Sequence, residues 1–107
     1  MSGSGGGGYI PPQRTKFDCE TSIIRTTVST IDLIVLNSHN QGDILDVIVD
    51  IKQTLILEDG NGEILGSILH SNTSDIINCI KNGFLYEAVI LQIDSPACKV
   101  EIRKKQL

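Results

Sequence analysis

Residues 54–69 read TLILEDGNGEILGSIL, and this stretch decides the fold. Two β-prone runs, 54–58 and 63–69, flank Asp59-Gly60-Asn61-Gly62. Asp-Gly and Asn-Gly supply the positive φ values that tight hairpin turns need, so the stretch predicts a β-hairpin. Gly66, inside the second run, marks a bend or a close approach of another backbone.

Working back towards the N-terminus, DILDVIVDI (43–51) alternates as a strand. Leu45, Val47, Val49 and Ile51 share one face; Ile44 and Ile48 mix with Asp46 and Asp50 on the other. STIDLIVLNSHNQGD (29–43) predicts a short helix capped by Ser29 or Thr30 and ended between Asn37 and Gly42. Ile31 and Leu33 to Leu36 are apolar nearly all round, so a buried strand is the competing reading. KFDCETSIIRTTVS (16–29) predicts a strand from Phe17, with Phe17, Cys19, Thr21 and Ile23 on one face. The doubled Ile23-Ile24 suggests a bulge or a change of face there.

Forward of the hairpin, SNTSDIINCIKNG (71–83) predicts an amphipathic helix capped by Thr73 or Ser74. Ile76, Ile77 and Ile80 form its buried stripe, and Gly83 stops it. FLYEAVILQIDSPACKVEIRK (84–104) predicts a second hairpin, with Val89, Leu91 and Ile93 alternating against Ile90. Asp94-Ser95-Pro96 turns the chain into Cys98, Val100 and Ile102. The order β-α-β-β-β-α-β-β points to a mainly β (α+β) fold, a small SH3- or OB-like β-barrel with two short helices. The domain is expected over 17–107, behind a flexible Gly/Pro-rich leader at 1–16.

A chain of 107 residues supports one domain. With 4% aromatic content and no Trp, its core must be built from Ile, Leu and Val. No apolar run reaches the roughly 18–20 residues that span a bilayer, so no membrane association is expected. Met1 to Gly8 lacks the charged and apolar regions of a secretory signal. Cys19, Cys79 and Cys98 are odd in number and widely spaced, which predicts three reduced thiols and a cytoplasmic protein. Residues 17–98 hold twelve Asp or Glu against Arg25, Lys52 and Lys81, a balance of −9. Such a body repels phosphate, and the basic residues collect at the two ends.

No reaction centre is legible, so no enzyme activity is expected. Asp46 and Asp50 share a strand face with Asp43 off it, which makes no acid-base pair without a pocket. Glu58, Asp59, Asn61 and Glu63 resemble a calcium loop in composition but lack the twelve-residue spacing and the terminal Glu. Ser67, Cys79 or Cys98 would need a neighbouring His, and His39 and His70 both fall in polar loop-like stretches. The cysteines and histidines lack CxxC or HxxxH spacing, so neither metal nor cofactor is expected.

GDILDVIV (42–49), GEILGSIL (62–69), DIINCIKNGFLYEAVILQI (75–93) and CKVEIR (98–103) together resemble the HIRAN pattern, over about residues 42–103. The resemblance implies a small OB-like barrel, of a kind appended to DNA-remodelling enzymes and in some members gripping single-stranded DNA ends. The family's Glu-Pro-x-Asn-Pro-x-Asp stretch is absent; the corresponding region reads DIKQTLILED (50–59). Ser67 stands where the family has the aromatic of its Ile-Gly-aromatic-Ile motif. The architecture is therefore implied, without the DNA-binding residues.

The chain opens MSGSGGGGYIPP (1–12), small residues followed by a segment that its prolines hold extended. Tyr9, Ile10, Pro11 and Pro12 are expected to anchor on a partner, which makes the molecule a non-catalytic binding or adaptor module for a partner protein. The alternative is a HIRAN-like single-stranded nucleic-acid-binding domain. It would use Arg14, Lys16, Arg25, Lys99 and Arg103, brought together if the first and last strands are neighbours. Self-association through Ile- and Val-rich edge strands is a third reading.

Overall fold

The structure is a computed structural model that describes residues 16–106. Six strands form one antiparallel sheet: β1 (Ile24–Thr27), β2 (Ile44–Val49), β3 (Leu55–Glu58), β4 (Ile64–Ile68), β5 (Tyr86–Asp94) and β6 (Ala97–Lys104). Helix α1 (Leu33–Leu36) follows β1, and α2 (Thr73–Lys81) follows β4. The spatial order is β1-β6-β5-β2-β3-β4. The sheet curls until Ser29, just past β1, bridges Ser67 on β4. This is a mainly β half-barrel with two short helices, compatible with a small OB- or SH3-like fold, and its elements come in the expected order.

Alternation on the strands fills the interior. Leu45, Leu55, Leu57, Ile68, Ala88, Ile90, Val100 and Ile102 are each no more than 1% exposed. Burying each large aliphatic side chain contributes about 1.5–3 kcal/mol. Helix α2 adds Ile76, Ile77 and Cys79 to the same core, and Ile80 packs against it partly buried. The helix stops as a Schellman motif. Phe84 N–H donates to Cys79 O at 3.1 Å, and Gly83 N–H donates to Ile80 O at 3.0 Å. Gly83 sits at φ +100°, a backbone geometry that side chains disfavour.

Two bulges explain where simple alternation misleads. In the β5–β6 ladder Ile90 pairs with Val100 but Gln92 with Lys99, so Leu91 is the extra residue. The inward set is Tyr86, Ala88 and Ile90 before the bulge and Ile93 after it, whereas Val89 and Leu91 are only partly buried. The second shift, between Leu57 and Glu58, adds Leu65 to the interior beside Gly66.

Several local expectations are corrected. The first strand begins at Ile24 rather than Phe17. Asp18 Oδ1 accepts the N–H groups of Glu20 and Thr21, while Ser22 N–H reaches Asp18 O, so this stretch is a turn. The short helix is capped by Asp32, whose side chain accepts from Ile34 N and Val35 N, not by Ser29 or Thr30. Ile51 falls in a turn and is 97% exposed. Helix α2 begins after Asn72, and the Thr73 hydroxyl accepts His70 N–H instead of capping the helix. Three reduced thiols were expected, but Cys19 and Cys79 form a disulfide with Cα atoms 5.7 Å apart. Only Cys98 is free; it is buried, and burial pushes its thiol pKa up.

Candidate functional site

The barrel seam, where β1 comes round to β4, is built in two halves. In the closed half, Ser29 and Ser67 exchange two backbone hydrogen bonds, each 2.8 Å, and Asp32 N–H donates to Leu65 O at 2.9 Å. Gly66 permits the contact. A Cβ there would lie 2.6 Å from both Ser29 O and a Val28 methyl carbon. Thr30 turns the chain away from the seam at φ +51°, unusual for a β-branched residue.

The open half is β1 itself. Val28 N–H donates to Cys98 O at 2.9 Å, and an antiparallel ladder alternates bonded with non-bonded pairs. The pairs Thr26–Val100 and Ile24–Ile102 therefore hold the bonds to β6, and Arg25 and Thr27 turn their backbone N–H and C=O groups outward. Ser29, of the same parity, finds Ser67; among the described residues Arg25 and Thr27 have no strand opposite them. The gap is flanked by exposed apolar side chains, Ile23 at 55% and Leu69 at 68% exposure. A hollow of about 170 Å³ lies at its far end, lined by Lys16, Phe17, Ser22, Ile23, Ile24 and Asn72.

The turn beside this gap is firmly held. The disulfide ties Cys19 to α2, and Tyr86 donates its hydroxyl to Cys19 O at 2.7 Å. Phe17 packs against the Tyr86 ring, with centroids 6.4 Å apart. Burial, and then the charges of Asp18 and Glu20, push the Tyr86 hydroxyl pKa up to about 12, so it stays a donor. Lys104 completes the clasp on Glu20 at 3.0 Å.

Of the residues singled out from the sequence, Tyr9, Ile10, Pro11, Pro12 and Arg14 lie outside the described residues. Lys16 lines the hollow. Strands β1 and β6 are neighbours, which brings Arg25, Lys99 and Arg103 onto adjoining strands. Two of the three are engaged by carboxylates: Arg25 pairs with Glu101 at 3.0 Å, and Arg103 with Glu87 at 2.9 Å and Glu101 at 3.8 Å. Lys105 likewise pairs with Asp46 at 2.9 Å.

His39 is the residue sequence reasoning missed. Its ring lies between two carboxylates, Nδ1 2.8 Å from Asp43 Oδ2 and Nε2 3.0 Å from Asp59 Oδ2. The Asp59 side chain is 3% exposed, and its other oxygen accepts Asn61 N–H and Glu63 N–H at 2.9 Å each. His39 and Asp43, four residues apart across a glycine, were a visible pair; Asp59, twenty residues on, required the topology. His70 instead accepts Asn72 N–H at Nδ1.

Among the described residues, no group of three or more His, Cys, Asp or Glu is arranged to hold a metal ion. No helix among them is long and apolar enough to cross a membrane. No family model, curated protein or solved structure matches the chain.

Proposed function

We propose that this is a non-catalytic binding module that engages a partner protein by strand addition at the open edge of β1. The observation that carries this reading is the pair of outward-facing backbone units at Arg25 and Thr27, bordered by exposed Ile23 and Leu69. An extended peptide laid there gains main-chain hydrogen bonds, and the flanking apolar groups select its side chains. Lys16, next in sequence to the leader, lines the same hollow. Tyr9, Ile10, Pro11 and Pro12 therefore stand as the second element of the binding surface.

Two variants test it. Thr27→Pro removes an outward N–H that no ladder uses, and deletion of residues 1–12 removes the leader. Partner capture is expected to fall in both while thermal unfolding stays near that of the parent. Undiminished capture by folded Thr27→Pro protein contradicts the edge reading.

HIRAN-like single-stranded nucleic-acid binding is the weaker proposal on this geometry, because Glu101 and Glu87 already engage Arg25 and Arg103. Oligonucleotide retention that declines steeply with salt would favour it instead. Cytoplasmic placement was read from three reduced thiols, and the Cys19–Cys79 bond removes that support. Disulfides persist in oxidising compartments and are rare in the cytosol. Counting thiols in protein isolated under alkylating conditions separates the two, three marking a reducing compartment and one an oxidising compartment.

A further inference from the structure

Helix α1 is a strap tied to the β3–β4 hairpin on both sides. Ahead of it, Asp32 N–H donates to Leu65 O. Behind it, His39 reaches Asp59 in the hairpin turn and Asp43 at the entry to β2. The first tie is backbone and does not titrate. The second is an imidazole with a carboxylate oxygen at each nitrogen. A neutral imidazole has one N–H, so it can satisfy only one ionised carboxylate and must face the other with a lone pair. Both contacts are favourable only when the ring is an imidazolium.

We propose that His39, Asp43 and Asp59 form a pH-operated clasp that holds the loop after α1 against the β3–β4 turn in mildly acidic medium and loosens it as the medium becomes alkaline. Asp43 belongs to the loop itself and Asp59 to the turn packed on it, and these are the charged groups that act on the ring. Burial alone would lower the His39 pKa, but the hydrogen bonds and charges of Asp43 and Asp59 outweigh it and raise the pKa above 6.5. Asn40 N–H first, and then His39, hold Asp43 below the usual carboxylate value. Glu63 N–H does most to lower Asp59; burial opposes it, and His39 and Asn61 add to the lowering.

The signs define a window. A raised folded-state histidine pKa gives stability that is complete below about 6.5 and is lost as pH rises through the folded value. Lowered carboxylate pKa values give stability that is present above 3.8 and is lost as pH falls through their folded values. The clasp is therefore strongest at mildly acidic pH and weakens towards either extreme.

The experiment is an NMR titration of the histidine rings in the full chain, alongside urea unfolding from pH 4 to pH 9. The His39 ring is expected to titrate above 6.5, with the amide shifts of Asn40, Asp43 and Gly62 following the same midpoint. The wild-type urea midpoint should fall as pH rises through that value; His39→Gln should lose this fall and His70→Gln should keep it. Asp43→Asn, at a more exposed position, retains the fold and lowers the His39 midpoint, so the test survives if His39→Gln does not fold. A His39 midpoint at or below 6.5, or one unmoved in Asp43→Asn, overturns the clasp.

Discussion

The two halves of the barrel seam use the same strand and the same backbone parity, yet one is zipped and the other is not. At Ser29 the outward-facing backbone meets Ser67; two and four residues earlier, Thr27 and Arg25 meet nothing among the described residues. Side-chain size at one position accounts for the closed half, since Gly66 alone lets the chain at Val28 and Ser29 come within bonding range. Continued at the same register, the ladder would place Thr27 opposite Leu69 and Arg25 opposite Ser71. There the chain has already left β4 for α2, to which the disulfide ties the turn around Cys19. A barrel of this kind is closed only as far as its neighbours allow, and what remains is an edge suited to another strand.

The largest effect should come from the side of the open half. The Cys19–Cys79 bond spans 60 residues. Converting both cysteines to serine should lower unfolding free energy by about 4 kcal/mol in the chain-entropy account, read by urea denaturation. The loss should appear equally in wild-type protein treated with reductant. Next is the closed half. Gly66→Ala drives a methyl group into a carbonyl oxygen and a valine, and should cost about 3 kcal/mol, close to the upper range for overpacking. A neutral result there would mean that the strands approach less closely than described.

The sharpest form of the comparison is proline placed at two positions of like parity. Ser29→Pro removes the N–H bonded to Ser67 O and should cost about 1–3 kcal/mol. Thr27→Pro removes an N–H that points outward and should cost less than about 1 kcal/mol. Equal losses in thermal or urea unfolding would erase the distinction between the halves.

Much of this architecture was readable because short-range chemistry enforced it. Asp59-Gly60-Asn61-Gly62 specified a hairpin, Gly83 ended a helix, and the Ile, Leu and Val pattern marked α2 and the strands while leaving residues 31–36 open between a short helix and a buried strand. Gly66 was flagged as a bend or a close backbone approach, and the structure shows the approach, by Val28 and Ser29. The misses lay where an extra residue or a distant one intervened. The bulge at Leu91 put Ile93 on the face of Ile90 instead of that of Val89 and Leu91. Asp18 formed a side-chain turn within a stretch whose alternation suited a strand. The pairing of Cys19 with Cys79, and of His39 with Asp59, depends on the route of the chain between them, which composition does not encode. Of the proposed contact surface, the adjacency of Arg25, Lys99 and Arg103 was conditional on β1 and β6 being neighbours, which they are, but the pairing of Arg25 and Arg103 with Glu87 and Glu101 was not foreseen.

The most direct measurement is native-state amide hydrogen exchange resolved residue by residue. Ser29, Ser67, Thr26 and Val28 should be protected at least about a hundredfold relative to Arg25 and Thr27, whose amides should exchange at nearly the rate of free chain. Matching protection at all six positions would show the seam to be shut along its whole length and would contradict the open edge on which the proposed function rests.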